Sequence, residues 1–383
     1  MDRMKSLKII CGLACILVFA SQVWSMSRWN EARGVYDDVC YLRQAHLFQR
    51  FGFGVLDTDI SRDDDGYLAA KLKEIVFPAN DPPPCHTRMA AANKLVIQYP
   101  PGTGAALALF PQGHQVVQLF ISATTVVLGF ALLGIFLARG PASIILSGVL
   151  GCVALYIMIN PVKASYSMAP TMAVCALAGF LTAKLFGERE LRDRIWLTSL
   201  LGFLLGLSVN FRLPNLFLSA GYFLFFLVAF LSTRKIALAT RGLAFGVAYL
   251  VGIAPTLVAN AINAGSPVAT TYGGQDVVPP DFDFGIIRQY LTDMQFVLLA
   301  CAGASVAYLL VARSDSGVKR VAAVTAVNLV VNLAFFLSHP VFTPYYTIPI
   351  AMLSLWSVGF AALPRPFEAV DENLVGQAAN ARS

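Results

Sequence analysis

Two adjacent carboxylates, Asp37 and Asp38, follow the first long apolar run of the chain and open a stretch that continues through Tyr41 to Phe51. On a helix, this stretch has apolar residues on one face and polar residues on the other, the pattern of a helix lying in a membrane interface. A carboxylate that is partly desolvated there can have a raised pKa and act as a general base near neutral pH. Either aspartate can equally cap the helix, because the helix dipole favours negative charge at an N-terminus.

A second residue that could take part in catalysis or binding is Arg212, which stands between two apolar runs in the stretch Asn210-Phe211-Arg212-Leu213-Pro214-Asn215. A guanidinium can hold two oxygens of one phosphate group at the same time. An ionisable group at the end of a membrane-spanning run favours a functional role, and snorkelling toward the lipid headgroups is the structural alternative. Lys163 and Arg288 are weaker candidates for the same chemistry.

The composition indicates which elements must position these residues. Hydrophobic residues make up 57% of the 383 residues and charged residues only 13%, about half the charged share of an ordinary soluble domain. A bilayer crossing takes about 20 apolar residues, so the apolar runs predict an all-α, polytopic transmembrane helix bundle of about ten spans. The predicted spans are 7–26, 114–138, 141–161, 168–187, 195–211, 213–233, 242–262, 292–312, 321–338 and 344–364.

The distribution of basic residues predicts the orientation of these spans. With both termini in the cytoplasm, sixteen Lys and Arg fall in the cytoplasmic pieces, and the short outer loops contain only Lys163, Arg212 and Arg288. The prediction is a single transmembrane domain over 1–365 and a polar cytoplasmic tail over 366–383. Two hydrophilic segments lie on the outer side: a first outer loop at about 27–113 and a second outer loop at about 263–291. The net charge of +6 fits this topology, and we therefore expect no nucleic-acid partner.

The cysteines and histidines suggest further features of the outer side. Five of the seven cysteines fall in predicted spans, whereas Cys40 and Cys85 stand alone in the first outer loop. Two thiols that face an oxidising space suggest a disulfide, although spacing alone does not show that they are close. All four histidines fall on the outer side, but no two have the spacing of metal ligands on a helix, so we predict no metal site from them.

The acidic run from Asp57 to Gly66 resembles a calcium-binding loop in its alternating oxygen ligands. However, Arg62 stands where such a loop needs a glycine, and Leu68 stands where it needs a glutamate. A solvated acidic loop is the favoured interpretation.

Taken in order, four stretches of the chain resemble the GT-C superfamily of membrane glycosyltransferases, which use polyprenyl-phosphate sugars, and in particular the dolichyl-phosphate-mannose and aminoarabinose transferase-like families. The four stretches are Asp37-Asp38-x-x-Tyr41-Leu42, Gln98-Tyr99-Pro100-Pro101-Gly102-Thr103-Gly104, Asn210-Phe211-Arg212-Leu213-Pro214-Asn215 and His339-Pro340-x-x-Thr343-Pro344-Tyr345-Tyr346. The chain departs from some relatives in two ways. It has Gln98 and Tyr99 where they carry a Lys next to the Pro-Pro pair, with Lys94 upstream, and it has no soluble outer domain after the last span.

The resemblance implies a set of roles. Asp37 would be the catalytic base and Asp38 a neighbour that orients the acceptor or binds a metal, with the two roles exchangeable. The donor phosphate or sugar would contact the residues Arg212, Lys94, Tyr345 and Tyr346. The stretch Tyr99-Pro100-Pro101 would order over the bound donor; its structural alternative is a helix start, and that of the two late tyrosines is an interfacial aromatic belt.

The expected function is therefore transfer of a sugar from a polyprenyl-phosphate donor to an envelope glycan, lipid or protein acceptor. The expected place is the outer face of a membrane, with the bacterial inner membrane and its periplasmic face favoured. No cofactor is required, and a divalent metal is possible. Two other classes stay open: a transporter or flippase for a polar or lipid-linked substrate, which predicts charged or helix-breaking residues near mid-membrane, and a non-catalytic assembly subunit.

Overall fold

The long apolar runs fold as helices, because a backbone in hydrocarbon must satisfy its hydrogen bonds within its own segment. The computed structural model describes residues 2–29, 31, 36–78, 81–90, 92–160, 165–187, 194–273, 279–312, 314–339 and 341–363, with only the backbone of Asp2, Tyr36 and Asp37. The α-helices of this part are α1 (Asp2–Met26), α2 (Tyr36–Phe51), α3 (Tyr67–Glu74), α4 (Gly102–Ala108), α5 (Gln115–Leu137), α6 (Pro141–Ile157), α7 (Met168–Phe186), α8 (Ile195–Phe211), α9 (Ala220–Thr233), α10 (Ile236–Ala264), α11 (Phe284–Thr292), α12 (Phe296–Val311), α13 (Ser316–Ser338) and α14 (Ile348–Ala362). Two short strands, β1 (His86–Met89) and β2 (Lys94–Ile97), form an antiparallel hairpin.

Each of the ten predicted spans overlaps helical structure. Among the described residues, the helices that are long and apolar enough to cross a bilayer number seven: Arg3–Met26, Gln115–Leu137, Met168–Phe186, Leu213–Thr233, Ile236–Ala264, Ser316–Ser338 and Pro344–Ala362. The pair α11 and α12, bent by 84°, makes an eighth if it is counted as one span, and α6 and α8 are apolar but shorter. The protein is thus a multi-pass helical membrane protein, and the number of ten spans stays a prediction.

Close helix packing in the bundle depends on small residues at the contacts. The helices α7 and α14 pack on each other and are largely buried, whereas α1 is mostly exposed. Between α8 and α10 the backbones nearly touch: a Cβ added to Gly202 or Gly206 would lie 2.3 or 2.2 Å from a carbonyl oxygen of α10. Small residues four positions apart allow this approach in membranes, where dispersion forces take the place of hydrophobic burial.

The first outer loop and the segment before α12 gather at one end of the bundle, which we call the loop end. Thr103 Oγ1 donates to the carbonyl of Phe211, the last residue of α8, at 3.1 Å. The Asp281 N–H donates to the carbonyl of Ser338, the last residue of α13, at 2.7 Å. At the opposite end Lys8 Nζ donates to the Phe136 carbonyl at 2.7 Å, which agrees with the basic character predicted for the cytoplasmic side. Orientation in a membrane remains the prediction made from charge.

Helix α2 is covered on both faces over its first half. Its apolar residues from Val39 to Phe48 are buried as the sequence predicts, but Arg43 is also 0% exposed and Gln44 only 2% exposed. The rest of the first outer loop covers this part of the polar side, whereas Gln49 and Arg50 near the end of the helix are exposed as the sequence predicts.

Candidate functional site

Arg212 lies at a break between two helical segments at the loop end. Helix α8 ends at Phe211, Arg212 is extended with φ −151° and ψ 129°, and a 3₁₀ turn over Leu213–Ser219 follows. The break has a sequence cause, because a continued α-helix would need an N–H from Pro214 to the carbonyl of Asn210, and proline has no N–H to donate.

The surroundings of the Arg212 side chain are aromatic and weakly polar. The side chain is 7% exposed, and its Nη1 donates to the sulfur of Met168 at 2.9 Å. The guanidinium carbon lies 4.3 Å from the ring centroid of Tyr346 and 5.2 Å from that of Tyr345. Aromatic faces attract a cation, but a thioether is only a weak acceptor. Among the residues that the structure describes, none that bonds to Arg212 carries a negative charge. We call Arg212, Met168, Tyr345 and Tyr346 the Arg212 site.

Two further tyrosines, Tyr41 and Tyr272, lie within electrostatic range of Arg212. Tyr41 belongs to α2, and Tyr272 belongs to the second outer loop. The ring of Tyr99 links them, since it stacks on Tyr41 at 5.0 Å and meets Tyr272 edge-on at 5.9 Å. The Arg212 site is therefore rimmed by aromatic residues from several separate parts of the chain.

The aspartate pair begins the helix that supplies Tyr41. Asp38 is 0% exposed and lies one helical turn before Tyr41, so both residues share one side of α2. One turn corresponds to a rise of about 5 Å along the axis. Asp37 lies in the first turn of α2, and its side chain falls outside the described residues. The structure thus places Asp38 on the side of α2 that faces the aromatic rim.

The Pro-Pro-Gly stretch is packed directly against the Arg212 break. A Cβ on Gly102 would lie 2.7 Å from the backbone of Asn210, and a Cβ on Gly104 would lie 2.5 Å from Oε1 of Gln44 in α2. Helix α4 consequently lies in close contact with both α2 and the end of α8. Pro100 and Pro101 also line a cavity of about 10 Å³, large enough for about one water molecule, next to Gln44.

Lys94 and the acidic run form a different cluster. Lys94 Nζ lies 3.1 Å from Oδ1 of Asp57 and 3.3 Å from the carbonyl of Ile262, so its charge is compensated. Burial opposes ionisation of Asp57, but the hydrogen bond from the Asp59 N–H and the ion pair with Lys94 outweigh it and lower its pKa. No contact among the described residues joins Lys94 to the Arg212 site. Lys94 is thus already paired with Asp57, and its grouping with Arg212 around one phosphate stays a prediction.

The carboxylates of the acidic run hold the first outer loop together. Asp59 accepts from the N–H groups of Ser61 and Leu95, and Asp63 accepts from the N–H of Leu68. Asp65 accepts from His46 at 2.7 Å, and this hydrogen bond lowers the pKa of the carboxyl group. These oxygens serve turns and ion pairs, which favours a structural role for the run over a calcium loop.

Cys40 and Cys85 are joined in a disulfide, which connects α2 to the residue before β1. His86 lies beside it and is close enough to form a three-residue group with the two sulfurs. Disulfide sulfurs are poor metal ligands, since the thiolate is the form that binds metals. His86 is also occupied, because Nδ1 donates to the Pro84 carbonyl at 2.7 Å and Nε2 accepts from Arg43 at 3.1 Å. The group is consequently a structural cross-link.

Several residues of the site were not assigned from the sequence. Met168 carries no polar signal, and Tyr272 stood in a loop without an assigned role. Tyr290 of α11 is a third case: its hydroxyl accepts from the Thr343 N–H at 3.4 Å, beside the late tyrosine pair. An aromatic residue at a membrane surface is common, so only the fold separates these tyrosines from a general interfacial belt.

Comparisons with protein-family models, with curated protein sequences and with solved structures gave no match. The family resemblance therefore rests on the four motifs. The geometry of the Arg212 site stands independently of that resemblance.

Proposed function

We propose that the protein is a membrane glycosyltransferase that takes a sugar from a polyprenyl-phosphate donor at the loop end of the bundle. The observation that carries this proposal is the Arg212 site, where a guanidinium is almost fully buried and bonds to no anion among the described residues. Burying a charge without a counter-charge costs several kcal/mol, roughly, so a bound phosphate would stabilise the site. The Arg212 site lies at the loop end, and in the predicted topology this is the level of the outer lipid headgroups, where a lipid phosphate would be.

The reaction needs two things from the protein. The acceptor hydroxyl attacks the anomeric carbon, the bond from that carbon to the phosphate oxygen breaks, and the electron pair leaves with the polyprenyl phosphate. Arg212 would stabilise the charge that develops on the departing phosphate. A carboxylate takes the proton of the hydroxyl, and the buried Asp38, one turn before Tyr41, is the candidate for that base. Asp37 is the alternative base.

The aromatic rim supports the same assignment. Tyr41, Tyr99 and Tyr272 form a continuous set of rings beside Arg212. Flat apolar faces next to a phosphate site suit a sugar ring, whose C–H groups can pack on them. The acceptor, the donor sugar and the bacterial inner membrane as location belong to the same proposal.

The test is transfer activity in proteoliposomes that contain the full chain and radiolabelled polyprenyl-phosphate hexoses or pentoses. Arg212→Ala is expected to lower turnover on the order of 100-fold or more, because it removes the charge that meets the leaving phosphate. Asp38→Asn or Asp37→Asn should abolish most of the activity. Arg88→Ala is the matched control, since Arg88 is an exposed arginine of the first outer loop.

Three outcomes would contradict the proposal in different ways. If folded Asp37→Asn and Asp38→Asn both keep full turnover, the base assignment is wrong. If the wild type transfers no sugar but moves labelled lipid between the leaflets, the protein is a flippase. If the protein has neither activity, it is not a glycosyltransferase of this kind, and the non-catalytic assembly subunit is the favoured alternative.

A further inference from the structure

We infer that Asn210 and Asn215 are positioning residues that hold Arg212 in its buried, extended orientation. We call this pair the asparagine bracket. The inference takes its biological meaning from the proposed function, but its geometry stands on hydrogen bonds that involve no ligand.

Asn210 joins the end of α8 to α10 through its amide. Its Nδ2 donates to the carbonyl of Gly252 at 2.7 Å, and its Oδ1 accepts from the N–H of Thr256 at 2.9 Å. Gly252 and Thr256 are four residues apart, so they carry the carbonyl and N–H that a regular helix pairs with each other. Pro255 lies between them inside α10.

This placement has a physical reason. A proline inside a helix lacks an N–H and its ring pushes against the preceding turn, so neighbouring backbone groups need other partners. The amide of Asn210 supplies one donor and one acceptor at this position. The hydroxyl of Thr256 adds a third bond to Asn210 Oδ1 at 2.7 Å. A buried asparagine with 1% exposure is therefore satisfied by α10 and tied to it.

Asn215 holds the other side of Arg212. Its Nδ2 donates to the carbonyl of Ser208 at 2.8 Å and to Oγ1 of Thr171 in α7 at 3.0 Å. Its own N–H donates to the carbonyl of Arg212 at 3.1 Å. Arg212 thus lies between one asparagine fixed to α10 and another fixed to α7, the helix that supplies Met168.

Helix α4 also packs against the segment that contains Arg212. Gly102 packs on the backbone of Asn210, where a Cβ would lie 2.7 Å away. The carbonyl of Phe211, between Asn210 and Arg212, accepts from Thr103 at 3.1 Å. The segment around Arg212 is thus held by hydrogen bonds at Asn210, Phe211 and Asn215, while the guanidinium contacts a thioether and two aromatic rings among its described partners. This arrangement keeps the cation in place without a described anion.

The first experiment measures the placement of Arg212 directly. The full-length protein in liposomes is treated with phenylglyoxal, and mass spectrometry follows modification of Arg212. In the wild type the buried guanidinium should react slowly, and in Asn210→Leu or Asn215→Leu it should react severalfold faster. Asn328→Leu is the matched control, because Asn328 is an equally buried asparagine that bonds to the Gly221 N–H at 2.6 Å in another helix contact.

A second readout distinguishes positioning from general instability. With labelled donor, kcat/KM per folded molecule should fall on the order of 10-fold to 100-fold in Asn210→Leu, the range expected when a catalytic group is displaced by about 1 Å. The control should keep the wild-type value. If the wild type shows no transfer at all, the proposed function fails while the labelling experiment still decides the bracket.

The third readout tests the link to Pro255. In a Pro255→Ala background α10 can form its regular backbone bonds, so Asn210→Leu should accelerate labelling less than it does alone. If Asn210→Leu does not fold, Asn210→Asp replaces it, since it keeps the acceptor for Thr256 and loses the donor to Gly252. Wild-type labelling rates in the folded Asn210 and Asn215 variants would overturn the inference. Strictly additive effects with Pro255→Ala would overturn the role of α10.

Discussion

Three arginines are buried among the residues that the structure describes, Arg43, Arg212 and Arg241, and the first two have opposite surroundings. Arg43 in α2 is 0% exposed and donates to the carbonyls of Thr58 and Asp59 at 3.0 and 2.9 Å, with His86 as a further acceptor and Asp63 at 3.8 Å. Arg212 is 7% exposed and donates to a thioether beneath two tyrosine rings. Burial alone therefore does not indicate which role a buried arginine has.

The two guanidinium groups differ in the kind of acceptor that their N–H donors meet. The donors of Arg43 are used by the backbone of the first outer loop, so its charge organises that loop around α2. Among the described residues, the donors of Arg212 meet a weak acceptor and aromatic faces, so we expect them to be open to a bound anion. The comparison predicts that Arg43 matters for stability and that Arg212 matters for ligand binding.

The largest expected effect is on Arg43. Arg43→Met should destabilise the protein by roughly 3–5 kcal/mol, because it leaves buried acceptors of the loop without their donor. Arg212→Met should keep or raise the stability of the ligand-free protein, because it removes a buried charge and because Met168 and the tyrosines are compatible with an apolar side chain. Thermal unfolding of both purified variants measures this difference. Equal losses would remove the distinction between the two arginines.

The disulfide next to Arg43 gives the second prediction. Cys40 and Cys85 are separated by 45 residues, and closing a loop of that size stabilises the folded state by about 4 kcal/mol in the chain-entropy estimate. Cys40→Ser with Cys85→Ser should lower the unfolding temperature. The same pair of substitutions should leave phosphate binding at Arg212 unchanged in the protein that remains folded. Cys301→Ser, at an exposed free cysteine, is the control.

The third prediction concerns pH. The pKa of His86 is lowered to about 4, mainly by burial and in addition by the positive charge of Arg43, although the hydrogen bond to the Pro84 carbonyl acts in the opposite direction. Because the folded pKa lies below the ordinary value of about 6.5, the neutral histidine stabilises the fold above pH 6.5, and this contribution is lost as the pH falls toward 4. The loss should reach roughly 3 kcal/mol. His86→Gln should flatten the stability profile between pH 6.5 and 4, and an unchanged slope would contradict the assignment.

The fourth prediction sharpens the Arg212 side of the comparison. Gly102→Ala should lower kcat/KM on the order of 10-fold, because its Cβ would lie 2.7 Å from the Asn210 backbone and displace the break that carries Arg212. Gly54→Ala is matched to it in chemistry, and a Cβ at Gly54 meets no atom within 4 Å. Activity of Gly102→Ala equal to that of Gly54→Ala would separate the Pro-Pro-Gly stretch from the site.

Much of the fold could be predicted from the sequence because hydrophobic run length is a strong signal for helices in membranes. The predicted runs 114–138 and 195–211 match α5 and α8 within a residue or so at each end. Composition does not distinguish a helix that crosses the bilayer from one that is too short, and α6 and α8 fall in that range. The two hydrophilic segments that the charge pattern assigns to the outer side lie together at the loop end of the structure.

The site was only partly predictable, for reasons that are visible in single residues. Arg212 could be singled out because a charge at the end of a membrane-spanning run favours a functional role, whereas the late tyrosines were suggested only by the family resemblance. The pairing of Lys94 with Asp57 depends on how the hairpin packs, which no local pattern encodes. The same holds for Arg43, which the helical pattern places on a polar face and the structure buries. The roles of Asn210 and Asn215 require knowledge of Pro255 and Thr171 in other helices.

The central claim is that the Arg212 site binds a lipid phosphate, and equilibrium binding of sugar-free polyprenyl monophosphate tests it most directly. The full chain in nanodiscs should bind the labelled lipid saturably, and Arg212→Met should weaken binding by about 10-fold or more, as expected for the loss of a charged hydrogen-bonded partner worth roughly 1.5–3 kcal/mol. Arg88→Ala should bind like the wild type. Equal affinity of the wild type and the folded Arg212→Met variant would contradict the account.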